Sequence, residues 1–209
     1  MQFIAIEGNI GAGKTSLAEM IGERFGARVI LEQFSENPFL PGFYRDPDRY
    51  AFPLELSFLA ARYNQLKGEL PEPELFTPLT VADYYFAKTL IFASNTLSGH
   101  EYKLFRQLFE IMNSSLPVPD LYVYLHRDPL VLLENIGKRG RHYEQGIKYD
   151  YLERIQNSYF DFMKQKREVI FLLIDLGDSD FVSDRDVFDE IARLIFAGNH
   201  TSGINRVVL

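Results

Sequence analysis

Short apolar runs alternate along the chain with longer segments in which apolar residues recur every three or four positions. A short apolar run predicts a buried strand, and the longer spacing predicts an amphipathic helix. We therefore expect an α/β fold, in which a five-stranded parallel sheet has helices on both faces. The predicted strands are residues 3–6, 28–32, 77–83, 121–125 and 169–174, and helices are predicted over 51–67, 85–93, 101–114, 129–138 and 187–196. Residues 198–209 show no pattern that predicts an element.

A glycine-rich turn joins the first predicted strand to a helical pattern. It matches the phosphate-loop sequence G-x-x-x-x-G-K-[ST] through Gly8, Gly13, Lys14 and Thr15. Glycines let backbone N–H groups approach a polyphosphate, the lysine reaches the outer phosphates, and the threonine hydroxyl reaches Mg²⁺. The sequence therefore predicts a P-loop NTPase whose nucleotide contacts are Gly8, Asn9, Ile10, Gly11, Ala12, Gly13, Lys14, Thr15 and Ser16.

Composition and charge argue against several classes of protein. The chain has 209 residues, 46% of them hydrophobic, which suits one substantial core, so we expect a single domain over residues 1–209. Its net charge of −7 argues against a nucleic acid polymer as partner. The sequence has no cysteine and no apolar run long enough to span a bilayer. We expect no disulfides, no membrane partner and a cytoplasmic location.

Acidic residues follow the first three predicted strands, at the edge where ligands bind in open α/β sheets. Glu32 is the candidate general base for an attacking hydroxyl, and Asp83 is the candidate for holding Mg²⁺ opposite Thr15. Glu7 is the third acid in such a position. For each of them, a solvated carboxylate at a strand end is the alternative.

The predicted helix 51–67 carries Glu55, Phe58 and Arg62 on one face, because positions three, four or seven apart share a face. An acid and a base with an aromatic ring between them suit recognition of a flat nucleobase edge. A surface ion pair beside a core phenylalanine fits the same spacing.

Basic residues concentrate in a glycine-bearing loop at about 138–146. Arg139 and Arg141, with Lys138 and His142 beside them, are candidates for neutralising the charge on a transferring phosphoryl group. A mobile loop can deliver such groups after a triphosphate binds. We expect this segment to be a mobile lid, with a solvated basic loop as the alternative.

From the phosphate loop to the last predicted strand, the sequence resembles the deoxynucleoside kinase family. The segments GNIGAGKTS and RGRHYEQGI resemble the family's phosphate loop and arginine-bearing lid, and Glu32 falls at the position of its catalytic base. The resemblance implies ATP and Mg²⁺ as cofactors and phosphorylation of the 5′-hydroxyl of a deoxynucleoside. It also implies a homodimer formed through helices that include 101–114.

The resemblance assigns roles to individual residues. Tyr44 and Glu144 correspond to contacts with the 3′-hydroxyl, and Tyr44 also blocks a 2′-hydroxyl. Asp180 and Phe181 resemble the pair that lines the adenine of ATP. The implied catalytic residues are Glu32, Arg139 and Arg141, the last two also being phosphate contacts; the implied substrate contacts are Glu32, Tyr44, Glu55, Phe58, Arg62, Asp83 and Glu144; and the implied metal ligands are Thr15 and Asp83.

The chain departs from the family at two positions that carry positive charge. The family has an acid-Arg-Ser motif after the third strand, whereas this chain has no arginine there. Tyr84 replaces it in an alignment on the acid, and Asp83 replaces it in an alignment on the downstream segment IFASN. Asn135 stands where the family has the first arginine of its lid. Such losses weaken electrostatic stabilisation of a transition state unless the charges are replaced. Lys88, further along the next helix, offers a less directional cation.

The third departure is Glu55, which stands where the family has a base-reading glutamine. An amide donates and accepts hydrogen bonds, whereas a carboxylate only accepts them. We hypothesise that Glu55 prefers a base edge with two adjacent donors, as in guanine, unless Arg62 occupies it. A purine deoxynucleoside is therefore the favoured substrate.

Two other functions fit parts of this pattern. A nucleoside monophosphate kinase of the thymidylate type shares the loop, fold and lid, but it needs a clamp for the acceptor phosphate where this chain lacks an arginine. A catalytically impaired nucleotide-binding module would explain the missing arginines. We favour the deoxynucleoside kinase because Lys14, Glu32 and the lid are present.

Overall fold

Six parallel strands form one sheet in the computed structural model, which describes residues 3–33, 37–70 and 79–209. The strand order is β2-β3-β1-β4-β5-β6. The strands are β1 (Phe3–Gly8), β2 (Arg28–Ile30), β3 (Thr80–Ala82), β4 (Leu121–His126), β5 (Ile170–Asp175) and β6 (Gly203–Val208). The predicted α/β class and parallel sheet are confirmed, with six strands in place of five.

Helices cover both faces of this sheet. Because side chains alternate across a strand, Phe3 and Ala5 of β1 join one buried cluster while Ile4 and Ile6 join the other. No helix in the described ranges has the length and apolar character needed to cross a membrane. The helices are α1 (Lys14–Phe25), α2 (Leu40–Phe43), α3 (Pro47–Glu69), α4 (Ala87–Thr96), α5 (Gly99–Asn113), α6 (Pro129–Arg139), α7 (Tyr149–Gln165) and α8 (Arg185–Phe196), with a 3-10 turn at His142–Glu144.

Several elements differ in extent from their predicted bounds. β2 ends at Ile30, two residues early, and the backbone N–H of Glu32 donates to Asp83 Oδ1 at 2.7 Å instead of continuing the ladder. β3 begins at Thr80, and residues 77 and 78 of the predicted strand lie outside the described ranges. α3 begins at Pro47, a residue suited to a first helical turn, rather than at 51.

β6 lies in the tail where the sequence shows no pattern. It pairs in parallel with β5, and its residues alternate between half-buried and exposed. Ile204 and Val208 stay exposed, while Arg206 forms an ion pair with Asp175 at 2.8 Å. An edge strand with exposed apolar residues and a polar centre gives a weak pattern, which explains why the sequence did not predict it.

Candidate active site

The phosphate loop connects β1 to α1 with a backbone that only glycine allows. Gly11 and Gly13 have φ angles of 84° and 93°, in the left-handed region. A Cβ on Gly13 would lie 2.8 Å from Phe181 Cζ, and one on Gly11 would lie 2.9 Å from the carbonyl oxygen of Leu132. The turn is therefore packed closely from behind. No side chain in the described part of the protein caps α1 at Gly13, which leaves the first N–H groups of the helix for an anion.

Asn9 fixes the same loop to α7. Its buried side chain donates to the carbonyl oxygen of Leu152 at 2.7 Å and accepts from the backbone N–H of Ile10 at 2.9 Å. The Lys14 ammonium donates to the carbonyl oxygen of Asn9 at 2.8 Å. Burial, together with the nearby positive charge of Lys88, lowers the pKa of Lys14 to about 8. The negative charge of a bound triphosphate would stabilise the protonated form of Lys14.

Two cavities meet at the phosphate loop. We call them the base-side cavity and the loop-side cavity. The base-side cavity is lined by all seven predicted substrate contacts, Glu32, Tyr44, Glu55, Phe58, Arg62, Asp83 and Glu144. The loop-side cavity is lined by the predicted nucleotide contacts Gly11, Ala12, Gly13, Lys14, Thr15, Ser16, Arg139, Asp180 and Phe181. Both cavities include Lys14, Thr15, Arg139 and Arg141.

Three predicted nucleotide contacts do not line the loop-side cavity. Gly8 ends β1 beside Leu125 of β4, and Asn9 is buried as an anchor of the loop. Ile10 lines the base-side cavity instead. Gly8 and Asn9 support the loop from the interior, and Ile10 faces the base-side cavity. Spacing in the sequence does not distinguish such positions from positions that line the loop-side cavity.

Glu32 lies between two cations at the end of β2. Arg62 Nη2 is 2.6 Å from Glu32 Oε1, and Lys88 Nζ is 2.5 Å from Oε2. Burial alone raises the pKa of this carboxyl, but the charges of Lys88 and Arg62 outweigh it and hold the pKa at about 2. Glu32 is therefore ionised at any physiological pH. Arg62 also donates to Thr89 Oγ1 at 3.0 Å, and its guanidinium lies 4.6 Å from the centre of the Phe58 ring.

Asp83 and Thr15 are neighbours, as the sequence predicts. The Thr15 hydroxyl donates to Asp83 Oδ2 at 2.5 Å, at the carboxyl ends of β1 and β3. No cluster of three or more acidic or histidine side chains that could hold a metal occurs in the described ranges. One carboxylate and one hydroxyl fit Mg²⁺, which is held in kinase sites by one or two carboxylates together with substrate phosphates and water.

The predicted lid forms an ion-paired cluster around Glu144. Arg139 Nη2 is 2.5 Å and Arg141 Nη1 is 3.4 Å from the carboxylate oxygens of Glu144, which is buried. The rings of Tyr44 and Tyr143 stack with their centres 6.1 Å apart. The segment therefore places both arginines at the junction of the cavities, and its basic residues are not simply solvated. Tyr44 and Glu144, the two predicted sugar contacts, line the base-side cavity.

Glu55 and Arg62 do not form the surface ion pair that their spacing also allowed. Both are buried, and Arg62 pairs with Glu32. Glu55 Oε1 accepts from the Thr96 hydroxyl at 2.8 Å, while Oε2 has no hydrogen-bond partner within the described residues. Burial raises the pKa of Glu55 to about 7, although Thr96 and the positive charge of Arg62 lower it in part. A buried acceptor without a partner points to a ligand in the cavity.

The departures from the family pattern have distinct structural outcomes. Tyr84, one of the two candidates for the position of the missing arginine, is fully buried and donates to Gln65 Oε1 at 2.8 Å. Lys88 contacts the candidate base and so supplies a positive charge there. Asn135 donates to the carbonyl oxygen of Gly11 at 3.0 Å, which supports the loop without adding charge.

Glu7 is not a ligand at the edge of the sheet. Its buried carboxylate accepts from the backbone N–H of Tyr85 and from the Tyr159 hydroxyl, both at 2.8 Å. Burial is the main cause of its raised pKa. Glu7 lines neither the base-side nor the loop-side cavity, because it lies in the interior between β1 and α7. Its position after an apolar run could not reveal this orientation.

The sequence did not identify Phe92, Thr96 or Arg127 as residues of the site, and it gave Lys88 only as a less directional cation. Lys88, Phe92 and Thr96 lie four residues apart on one face of α4; the first two line the base-side cavity and the third binds Glu55. This spacing is the signal that could have found them. Arg127 lines the loop-side cavity and donates to the carbonyl oxygens of Gly177 and Ser179.

Comparison with known proteins identifies the family. The model of the deoxynucleoside kinase family matches residues 4–198. A deoxyguanosine kinase of Bacillus subtilis (strain 168) is 37% identical over 194 residues, which cover 91% of this chain and 94% of the relative. A deoxyadenosine kinase of Dictyostelium discoideum is 30% identical over 201 residues, covering 93% and 78%.

A solved structure has the same fold along almost its whole length. The deoxyadenosine kinase of M. mycoides with the products dCMP and dCDP superimposes with a TM-score of 0.77 at 25% identity, covering 94% of this chain and 99% of that one. The fold, the loop and the family match agree with one another. The chain therefore belongs to the deoxynucleoside kinase family, enzymes that phosphorylate deoxynucleosides with ATP.

Proposed function

We propose that this enzyme transfers the γ-phosphoryl group of ATP to the 5′-hydroxyl of a purine deoxynucleoside, with guanine preferred over adenine. The observation that carries the proposal is the junction of the two cavities at Lys14, Thr15, Arg139 and Arg141. ATP in the loop-side cavity and a nucleoside in the base-side cavity would have their reacting groups at this junction.

Glu32 is the proposed acceptor of the proton from the 5′-hydroxyl. With a pKa of about 2 it is a weak base, so its main contribution is to hold and orient the hydroxyl through a hydrogen bond. Phosphoryl transfer through a loose transition state needs little proton transfer before the bond to phosphorus forms. The proton passes to Glu32 late, as the ester forms. Lys88 and Arg62 keep the carboxylate in place for this step.

Lys14, Arg139 and Arg141 are the proposed phosphate contacts. Positive groups fixed at the junction stabilise the charge on the transferring phosphoryl group. Both lid arginines now bind Glu144, so a triphosphate must compete with this carboxylate for them. Once an arginine turns to phosphate, Glu144 is free to accept from the sugar 3′-hydroxyl.

Tyr44 and Glu144 are proposed to read the sugar. Tyr44 lines the base-side cavity and is held by stacking with Tyr143, which limits the space beside the bound sugar. We expect deoxyribose to fit and a 2′-hydroxyl to collide with the Tyr44 ring.

In the loop-side cavity, Asp180 and Phe181 are proposed to lie beside the adenine of ATP. Thr15 and Asp83 are proposed to hold Mg²⁺ together with phosphate oxygens and water. When bound, the ion supplies positive charge to the phosphates of ATP. The hydroxyl and carboxylate of this chain fix its place at the ends of β1 and β3.

Glu55 is proposed to select the base, with Phe58 packed against its plane. The unpartnered Oε2 and the accepting Oε1 together suit two adjacent donors, which guanine presents as N1–H and its 2-amino group. The condition that Arg62 leave Glu55 accessible is met, because Arg62 binds Glu32.

The proposed acceptor is a nucleoside rather than a nucleoside monophosphate. The two cations beside the candidate base, Arg62 and Lys88, are already paired with Glu32. An acceptor phosphate there would face a carboxylate and gain little from cations that are already neutralised.

We further propose a cytoplasmic homodimer that uses α5. Leu104 and Ile111 lie seven residues apart on this helix, and 48% and 71% of their surfaces are exposed. Two exposed apolar side chains on one helical face suit a helix from a second copy of the chain.

The test is a screen of ATP consumption with the four deoxynucleosides and their ribose counterparts. We expect deoxyguanosine to react fastest, deoxyadenosine next, and ribonucleosides at least tenfold more slowly. Glu32→Gln should abolish turnover while ATP still binds. Turnover of deoxynucleoside monophosphates but not of deoxynucleosides, or no turnover of either, would refute the proposal.

A further inference from the structure

Glu55, an ionisable side chain of the base-side cavity, has one carboxylate oxygen without a hydrogen-bond partner among the described residues. Glu55 is 3% exposed, and its Oε2 has no hydrogen bond within the described residues. Oε1 accepts from Thr96, which can donate to either protonation state of the carboxyl group. Nothing at this position therefore forces Glu55 to remain ionised.

The nearest cation is directed elsewhere. Arg62 lies seven residues, or two turns, after Glu55 on α3. It donates to Glu32 through Nε and Nη2 and to Thr89 through Nη1. The Phe58 ring covers its guanidinium. Arg62 therefore affects Glu55 through electrostatic attraction and not through a hydrogen bond.

The remaining titratable groups around the cavity come from every element that packs there. Those from the strand ends, phosphate loop and α4 are Glu32, Asp83, Lys14 and Lys88; those from the α2 end, the lid and α7 are Tyr44, Arg139, Arg141, Tyr143, Glu144, Tyr151 and Arg154. Burial raises the pKa of Tyr44 and Tyr151, and the two cations hold that of Glu32 at about 2. These three groups keep their charge state near neutral pH, whereas the pKa of Glu55 is about 7.

We propose that Glu55 gives the enzyme two classes of substrate, because its carboxylate binds guanine and its neutral acid binds adenine. The ionised form presents two acceptors to the N1–H and 2-amino donors of guanine. The neutral form presents O–H to N1 of adenine and a carbonyl oxygen to the 6-amino group. On binding deoxyadenosine, Glu55 takes a proton from solvent; on binding deoxyguanosine, it releases one.

This inference rests on the proposed role of Glu55 in reading the base. Its first test is the ratio of kcat/KM for deoxyguanosine to kcat/KM for deoxyadenosine. We would measure kcat/KM for deoxyguanosine and deoxyadenosine from pH 5.5 to 8.5. Because it follows the ratio of ionised to neutral Glu55, this ratio should increase about tenfold for each pH unit. Effects of pH on ATP, Lys14 or Glu32 cancel, since both substrates share the donor, the sugar and the catalytic groups. Glu55→Gln should fix the ratio at a low, pH-independent value.

The second test detects the proton itself, without turnover. Calorimetric titration of each nucleoside without ATP, in two buffers of different ionisation enthalpy, gives the number of protons exchanged. We expect release with deoxyguanosine at pH 6.5 and uptake with deoxyadenosine at pH 7.5. Neither should occur in Glu55→Gln. Glu168→Gln, at an exposed site before β5 and at the other end of the sheet, should behave as the unaltered protein.

The outcomes separate the two claims. A ratio that changes with Glu55→Gln but not with pH, and no proton exchange, would overturn the two-state selection while leaving Glu55 as the base contact. A ratio that Glu55→Gln does not alter would overturn both the base contact and this inference.

Discussion

At the scale of single residues, the most informative contact is the one between Lys88 and Glu32. The family's arginine after the third strand is absent, and Tyr84, which follows Asp83 there, is buried in the core. Lys88 arises from the next helix and reaches the same carboxylate at 2.5 Å. Lys88 thus supplies a positive charge at the candidate base, and we expect this charge to compensate for the missing arginine.

Replacing Lys88 tests this compensation. In Lys88→Met, Glu32 keeps only Arg62, its pKa moves up from about 2, and the positive field at the junction weakens. We expect kcat to fall about 100-fold, a typical loss for one electrostatic donor, and the acidic limb of the pH profile to move towards neutral pH. Lys88→Arg should recover part of the rate. Lys164→Met, at an exposed site on α7, should match the unaltered enzyme; an equally active Lys88→Met would contradict the role of Lys88.

Glu55 also predicts how stability depends on pH. Folding raises its pKa from 4.5 to about 7, so the folded state holds this proton more tightly than the unfolded state. The stabilisation is complete below pH 4.5 and is lost as the pH rises through 7, by about 3 kcal/mol.

Glu55→Gln stays neutral and keeps the shape, so its Tm should exceed that of the unaltered protein by about 5 °C more at pH 8.5 than at pH 5. Thermal unfolding at the two values measures this difference, with Glu168→Gln as the control. Parallel shifts at both values would show that Glu55 titrates normally.

At the scale of elements, β6 is an addition at the edge of the sheet. It lies beyond residue 198, where the family match ends, and Val207 and Leu209 pack against the buried cluster that contains Ile4 and Ile6. The lining of both cavities comes from residues before it. β6 therefore contributes to stability and not to the chemistry.

Deleting residues 199–209 tests this separation. Loss of the ladder with β5 and of the apolar contacts should lower the Tm by about 5–10 °C. The kcat of the folded enzyme at 20 °C or below should stay within about threefold, as the site is intact. Arg206→Ala, which removes only the ion pair with Asp175, should lower the Tm far less. A truncated protein with unchanged Tm, or one that is folded but inactive, would refute the assignment.

At the scale of the whole molecule, the carboxyl ends of the parallel strands bring the chemistry together. β1 and β3 deliver the phosphate loop and Asp83, while β2 leads into Glu32. Helices α3 and α4 close the base-side cavity through Arg62 and Lys88. One edge of the sheet therefore collects groups that are far apart in sequence.

The proposed dimer is also a property of the whole molecule. We expect the protein to elute with the mass of two chains, and Ile111→Lys combined with Leu104→Lys to give a monomer, because lysines would be buried without partners in the interface. Light scattering after gel filtration measures the mass. Leu130→Lys, at a site on α6 that is 60% exposed, should leave the dimer intact. A monomeric unaltered protein would rule out this interface.

Much of this arrangement was predictable from the sequence, because strand-to-loop motifs are local. The phosphate loop motif and the helical spacing of Glu55, Phe58 and Arg62 predicted residues that line the two cavities. Orientation across the core was not predictable: Glu7 points inwards, and Arg62 pairs with Glu32 rather than with Glu55. Such choices depend on partners from other elements, which spacing along one helix or strand does not encode.

The cations around Glu32 have a consequence for nucleoside analogues that would bind in the base-side cavity. An analogue with an ammonium group in place of the 5′-hydroxyl would bring another positive charge to a carboxylate that Arg62 and Lys88 already share, and repulsion would exclude it. Substituents at that end of the molecule should therefore not carry a positive charge. Under the proposal for Glu55, variation is better placed on the edge of the heterocycle, beside its carboxyl group.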